Sequence, residues 1–298
     1  VKPVPIVPQA DWAWLQTLLG YRMTVASSTT KLGYDWGVIV FMAIIHLGAV
    51  LAFLPQFFSW QGVALALFLH WITGGLGITL CWHRLLSHRS FQTPKWLEYF
   101  LAFCGSLSMQ GGIIWWVGLH RHHHLYSDQP NDHHDSHKGF WWSHMQWMFH
   151  ETPAEAEIPR FTKDIADDRF YQFLDKYFLP LQIALGVLLY VLGGWSFVFW
   201  GIFVRLVFVY HCTWFVNSAT HKFGYRTYET TDNSTNCWWV ALTTYGEGWH
   251  NNHHAYQYSA RHGMKWWEVD ITWMTIQLLQ FLGLATNVKL VKAGSAPE

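Results

Sequence analysis

The chain is expected to be an all-α integral membrane protein of one domain, residues 1–298. Four transmembrane helices form two hairpins and carry a cytoplasmic helical cap. Three observations predict this. The 298 residues are 51% hydrophobic and 18% aromatic but only 13% charged, with 21 Trp, whereas a soluble domain carries about 25% charged residues. Four apolar stretches have the length of a bilayer crossing. Histidine is abundant, 19 in all, and much of it is gathered into short boxes outside those stretches.

Taken in order, residues 1–35 are mixed and contain proline, without a charged segment leading an apolar core, so no signal peptide is expected. The first span covers roughly 37–54, "GVIVFMAIIHLGAVLAFL", and is joined by "PQFFS" to the second, roughly 60–82, "WQGVALALFLHWITGGLGITLCW". The third covers roughly 177–194, "YFLPLQIALGVLLYVLGG", and passes through "GGWS" into the fourth, roughly 196–216, "SFVFWGIFVRLVFVYHCTWFV". Each approaches the ~20 residues that cross ~30 Å of hydrocarbon. Of the 19 Lys and Arg, three precede span 1, nine lie between spans 2 and 3, six follow span 4, one (Arg205) is inside it, and the two joints have none. The positive-inside rule therefore puts both termini and the cap, residues 83–176 and 217–298, on the cytoplasmic side. A soluble helical protein with buried core helices would not confine its basic residues in this way. Segment 96–119 is apolar too, but holds Glu98 and Gly111-Gly112. It is expected to lie at the membrane interface, because a crossing there would separate the histidines before it from those after it. Arg205 is costly in hydrocarbon and is expected to find a partner. Cys81, Cys104, Cys212 and Cys237 form no CxxC and are expected to be buried thiols. A net charge of zero gives no sign of nucleic-acid binding.

Three boxes organise the histidines: "HRLLSH" with His83 and His88, "HRHHH" with His120, His123 and His124, and "HNNHH" with His250, His253 and His254. All three fall on the predicted cytoplasmic side. On a helix, positions i, i+3 and i+4 share a face, so each of the last two boxes directs three imidazoles one way. Adjacent histidines diverge, which lets one triplet reach two metals. His83 and His88, five apart, share a metal only if it sits beside the helix or the helix changes geometry there. Eight imidazoles suit two metal ions, and neutral imidazole suits Fe, Zn, Cu and Ni. His46 and His70 lie inside spans and are not expected as ligands.

The boxes around two membrane hairpins resemble those of the membrane fatty-acid desaturases. The words "GITLCWHRLLSHRSF", "GFWWSH", "NSATHKFG" and "GEGWHNNHH" resemble the stearoyl-type, C9-introducing branch, from about span 1 to residue 275. The overall form is most similar to the cyanobacterial or plastid acyl-lipid type, which implies a thylakoid or plasma membrane if the source is cyanobacterial. The resemblance implies a first metal held by His83, His88, His120, His124 and His253. It implies a second held by His123, His221, His250 and His254, with Asn217 holding a water on it. It implies iron as the metal, although imidazole also accepts zinc. Asp128, Asp132, Asp135 and Glu247 are candidate acceptors for the outer ring nitrogens.

The expected reaction is O2-dependent removal of two hydrogens from a saturated acyl chain, leaving a cis double bond. Such unactivated C–H bonds are beyond side-chain acid–base chemistry, so the metals must carry the reaction. Acyl-CoA enzymes of the family carry an Asn-Asp and an Arg-Asp pair before the second box; Gly111-Gly112 and Gly118-Leu119 stand at those positions here. That departure favours a substrate chain esterified in a membrane lipid over acyl-CoA. No fused heme domain is seen, so an external electron donor is expected, ferredoxin by resemblance. Gly74, Gly75 and Gly77 leave room either for an alkyl chain or for close helix packing; Trp115 and Trp116 form an apolar surface beside the second box, and Trp266 matches a family aromatic near the substrate tunnel. A membrane hydroxylase on the same scaffold and a histidine-rich metal transporter are the alternatives. Product analysis separates the first, and a transporter should hold its ligands near the bilayer midplane.

Overall fold

The computed structural model describes residues 33–292. The reading of 1–35 as free of a signal peptide falls on residues outside that range except 33–35, and both termini lie outside it. Among the described residues the fold is all-helical; β-structure is limited to isolated bridges such as Tyr225 with Asn236.

The first helix, α1, is Trp36–Leu51, started by Asp35, whose side chain accepts from the Val38 N–H at 3.0 Å. After the joint, Ser59 accepts from the Gly62 N–H at 2.9 Å and opens α2, Trp60–Ser87. From Trp71 to Ser87 this helix is π-helical, with i→i+5 hydrogen bonding. It is followed by α3 (Lys95–Ser106) and α4 (Ile113–Tyr126). Short turns then lead to α5, Arg169–Val198, which is broken at Gly193 and Gly194. Gly194 has φ 64°, open to glycine without strain. The chain folds back at this break, so that Leu189 packs on Gly201 and Gly186 faces Ile202. A π-helical turn, Phe199–Val204, runs into α6, Arg205–Ser218. The short helices α7 (Trp238–Thr243) and α8 (His250–Ala255) and the longer α9 (Ile271–Phe281) complete the described fold.

Two helical stretches, Trp60–Ser87 and Arg169–His221, are long and apolar enough to cross a membrane; α1 is apolar but shorter. Their surroundings differ. The most apolar window of Trp60–Ser87 is 56% buried, that of Arg169–His221 only 17%, so α2 is the central helix and α5 presents its side chains outward. Ile183, Val187, Leu188 and Val191 of α5 are exposed, as are Val40, Ile44 and Leu47 of α1. A contiguous apolar surface of this kind marks contact with lipid or another protein. The two short joints lie together, with Ser59 Oγ and Ser196 Oγ 2.7 Å apart, and the first histidine box lies at the opposite end of α2.

Close packing holds α3 and α9 on α2. Gly77 meets the Gly105 backbone of α3 so closely that a β-carbon would overlap it, which answers the choice posed for this glycine in favour of helix packing. The Trp82 indole N–H donates to Ala102 O at 3.2 Å, and Thr79 and Thr272 hydroxyls, 2.8 Å apart, bring α9 alongside. Arg205 is fully buried and finds its partners in carbonyl and amide oxygens. It donates to Gly201 O at 3.0 Å and to Leu107 O. The Gln182 amide, oriented to suit its neighbours, accepts from the same guanidinium at 2.8 Å. All four cysteines are buried free thiols.

Candidate metal centre

The first box depends on the π-helical end of α2. The His88 N–H donates to His83 O at 3.1 Å, five residues back, and the two rings come to 4.7 Å centroid to centroid. In an α-helix the pair would diverge; i→i+5 bonding sets one above the other. The second box lies on α4 as its spacing predicts, and the third forms the six-residue α8, His250–Ala255. Asn251 and Asn252 inside that box are fully buried and fasten it. Asn251 Oδ1 accepts from the Thr227 and Tyr228 N–H groups at 2.7 and 2.9 Å, and the Asn252 amide donates to Glu268 at 2.8 Å. His221 sits in a single 3-10 turn beyond α6, which ends at Ser218. Its relation to half-buried Asn217 is therefore not the simple i, i+4 face of one continuous α-helix.

Two groups of ring nitrogens result. One nitrogen from each of His83, His88, His120, His124 and His253 falls within 4.8 Å of the others, and the same holds for His123, His221, His250 and His254. Within the first group Nε2–Nε2 separations are 2.8 Å for His88–His120, 3.0 Å for His120–His124 and for His124–His253, and 3.2 Å for His83–His253. Lone pairs facing one another so closely repel unless a cation or shared proton lies between them. Burial, reinforced by neighbouring imidazoles, holds His88, His120, His124, His250 and His253 well below the usual histidine pKa. These rings are neutral at pH 7, the form that binds metal.

Carboxylates hold the outer nitrogens. Glu247 is 2.8 Å from His83 Nδ1, Asp132 is 3.0 Å from His123 Nδ1, Asp128 is 2.8 Å from His221 Nδ1, and Asp232 accepts from His254 Nδ1. With Nδ1 so engaged, Nε2 of His123 and of His254 is buried and has no hydrogen-bond partner among the described residues. A buried polar atom without a partner is costly, and an ion held by this second group would resolve that cost. The donor set fits a pair of imidazole-ligated ions.

Asp135, by contrast, accepts from His137 at 3.0 Å and reaches none of the nine histidines. Asp232 was not legible beforehand: it lies in an irregular loop 22 residues before His254. Also unforeseen was the support of Glu247, which accepts from Arg84 at 3.0 Å, while Arg84 binds Asp270 at 2.9 Å and His262 sits 3.0 Å from Glu247. Trp116 stacks on His120 at 5.2 Å and 12°, and Trp115 is half-buried one residue before it. Gly74 and Gly75 face His70, Trp71 and Tyr245 across ordinary to tight contacts. Trp266 is 89% exposed, edge-on to Trp267, and is not brought to either histidine group.

Two convergent groups of histidines, four of them backed by carboxylates, are compatible with the metal site of a histidine-ligated enzyme. The model of the family described as fatty acid desaturase matches residues 58–277. The chain is 68% identical over 268 residues to an sn-1 stearoyl-lipid 9-desaturase of Anabaena variabilis, covering 90% of this chain and 98% of that one. A protein of the same description from Synechocystis is 65% identical over 91% of this chain and 86% of its own. An sn-2 palmitoyl-lipid 9-desaturase of Nostoc is 53% identical over 85% and 90%. The chain belongs to the fatty acid desaturase family and is an oxidoreductase.

Proposed function

We infer that this enzyme introduces a cis double bond at C9 of a stearoyl chain esterified in a membrane glycerolipid, using O2 and electrons from ferredoxin. The observation that carries the reading is the pair of convergent histidine groups. One iron is assigned to His83, His88, His120, His124 and His253. The other is assigned to His123, His221, His250 and His254, with Asn217 holding a water. When bound, the irons supply the O2 chemistry that abstraction from an unactivated methylene requires. The chain's own groups prepare the place. Glu247, Asp132, Asp128 and Asp232 fix the tautomer and direction of four rings, as carboxylate partners of metal-bound histidines do. The indole of Trp116 covers His120 and helps exclude water.

The relatives' names support the lipid substrate, and packing supports it independently. A β-carbon at Gly112 would overlap the Asp175 carboxylate, and one at Gly118 would overlap Ile158 and Thr162. Positions that carry CoA-binding side chains elsewhere in the family are thus closed by internal contacts.

The four-span topology belongs to this reading. The reversal at Gly193-Gly194, the exposed apolar faces of α1 and α5, and the adjacency of the two uncharged joints support two hairpins with a cytoplasmic cap. Expression in a host lacking its own C9 desaturase tests the function. Lipid-bound oleate should appear with the wild-type chain and vanish for His124→Ala and His254→Ala at equal membrane levels. Near-normal oleate from both variants would refute the metal assignment, and a hydroxylated product would refute desaturation.

A further inference from the structure

The proposed reaction needs reducing equivalents from outside. A –CH2–CH2– unit, O2, two electrons and two protons become –CH=CH– and two waters. The electrons therefore have to enter where the protein surface lies close to the histidine ligands.

One surface cleft has that position. It has a volume of about 430 Å³ and is lined by Ser87, Arg89, Arg121, Arg160, Lys163 and Asp164, among others. Ser87 is bonded to His88, and Arg121 to His120, so the cleft floor is one residue away from two rings of the first group. Arg121 fastens the floor. It donates to Leu86 O at 2.6 Å, Ser87 O at 3.0 Å and Phe161 O at 2.6 Å, tying the end of α2 to the segment that forms the far wall.

Charge in the cleft is one-sided. Four cations line it against one carboxylate, Asp164, which is engaged with Arg121 at 2.7 Å and with Arg89. The side chains of Arg89 and Arg160 are 58% and 65% exposed. Arg160 reaches Glu157 only at 3.5 Å, and exposed Lys163 has no acidic partner among the described residues. In a chain whose formal net charge is zero, this local excess is a device for attracting an anion. A patch of one sign raises the encounter rate with an oppositely charged partner and fixes its orientation.

We propose that this cleft is the docking surface for a small acidic one-electron carrier protein, which delivers its electrons through the His88 and His120 side of the site in two successive encounters. The proposal rests on the desaturase reading above. An anionic lipid headgroup has the right charge, but nothing about a headgroup explains a basic cleft built directly over metal-ligand backbone.

The test uses holoenzyme in vesicles of a stearoyl glycerolipid, driven either by reduced [2Fe–2S] ferredoxin or by dithionite-reduced methyl viologen. Arg160→Glu combined with Lys163→Glu should raise the KM for ferredoxin by about tenfold or more at low salt, as loss of electrostatic steering does. It should also flatten the salt dependence and leave viologen-driven turnover unchanged. Lys138→Glu, an exposed cation elsewhere on the cap, should leave the ferredoxin KM as it is. An unchanged KM in the double variant, equal losses with both reductants, or an equal effect of Lys138→Glu would overturn the docking site. So would an effect that follows the anionic phospholipid content of the vesicles in place of ferredoxin. Wild-type turnover with viologen but not ferredoxin overturns the docking site alone; turnover with neither overturns the desaturase reading with it.

Discussion

Asp232 shows how much a single residue outside the histidine boxes contributes. Its carboxylate accepts a hydrogen bond from His254 Nδ1, leaving Nε2 buried without a hydrogen-bond partner among the described residues. The burial that would raise the Asp232 pKa is outweighed by His254 and by hydroxyl donors, chiefly Ser234 and Thr230, which keep it ionised. Removing the acceptor frees the ring to rotate and to take the wrong tautomer. Asp232→Ala is expected to lose about 10–100-fold in metal affinity or activity, read as iron per chain and turnover. Asp135→Ala, which loses only the contact to exposed His137, should keep its metal. Equal metal loss in both would mean that the effect is general destabilisation. At this scale the sequence was partly readable. The i, i+3, i+4 spacing exposed the second and third boxes, because helical periodicity is a local property. His221 was visible only through resemblance, since nothing local distinguishes a lone histidine in a 3-10 turn. Asp232 left no local trace, because its partner is distant along the chain and the loop between them has no period.

Among the elements, α2 departs furthest from what periodicity allows one to read. Its apolar length was evident, but no composition cue announced that its second half is π-helical. The five-residue interval between His83 and His88 was the one hint, because an α-helix would turn the two away from each other. Within the stretch read as interfacial, α3 packs along α2 through the Gly77–Gly105 contact and the Trp82 indole. Arg205 was recognisable as needing a partner, but Leu107, in the turn after α3, and Gln182, on α5, are distant in sequence and could not be named from its neighbours. The joints carry the topological expectation at this scale. Single cysteines introduced at 55–59 and at 193–196 should react with a membrane-impermeant thiol reagent from the same side. Cysteines at 130–140 should react from the opposite side. Labelling of all three regions from one side would rule out two hairpins.

For the whole molecule, apolar side chains face outward on α1 and α5 while the histidines and their carboxylates lie inside. α5 shows its leucines and valines to the outside, while nearly all the ionised carboxylates that hold rings are enclosed. A substrate delivered by partition into the bilayer needs little recognition at its head group, whereas a CoA ester needs cations and hydrogen-bond donors for its phosphates. With Gly112 and Gly118 closed by internal packing, reconstituted enzyme with a reducing system should desaturate a stearoyl glycerolipid and leave stearoyl-CoA largely unreacted. Rapid conversion of the CoA ester with the intact lipid untouched would reverse the substrate assignment and leave the metal centre as described.

The mixed membership of the two histidine groups has a consequence for the order of biosynthesis. The first group takes four members from residues 83–124 and its fifth, His253, from far downstream; the second joins His123 to His221, His250 and His254. Neither can be completed while the ribosome is still short of α8. Assembly of either group thus waits on the last short helix of the site, so that the geometry able to select an ion would be a property of the finished fold.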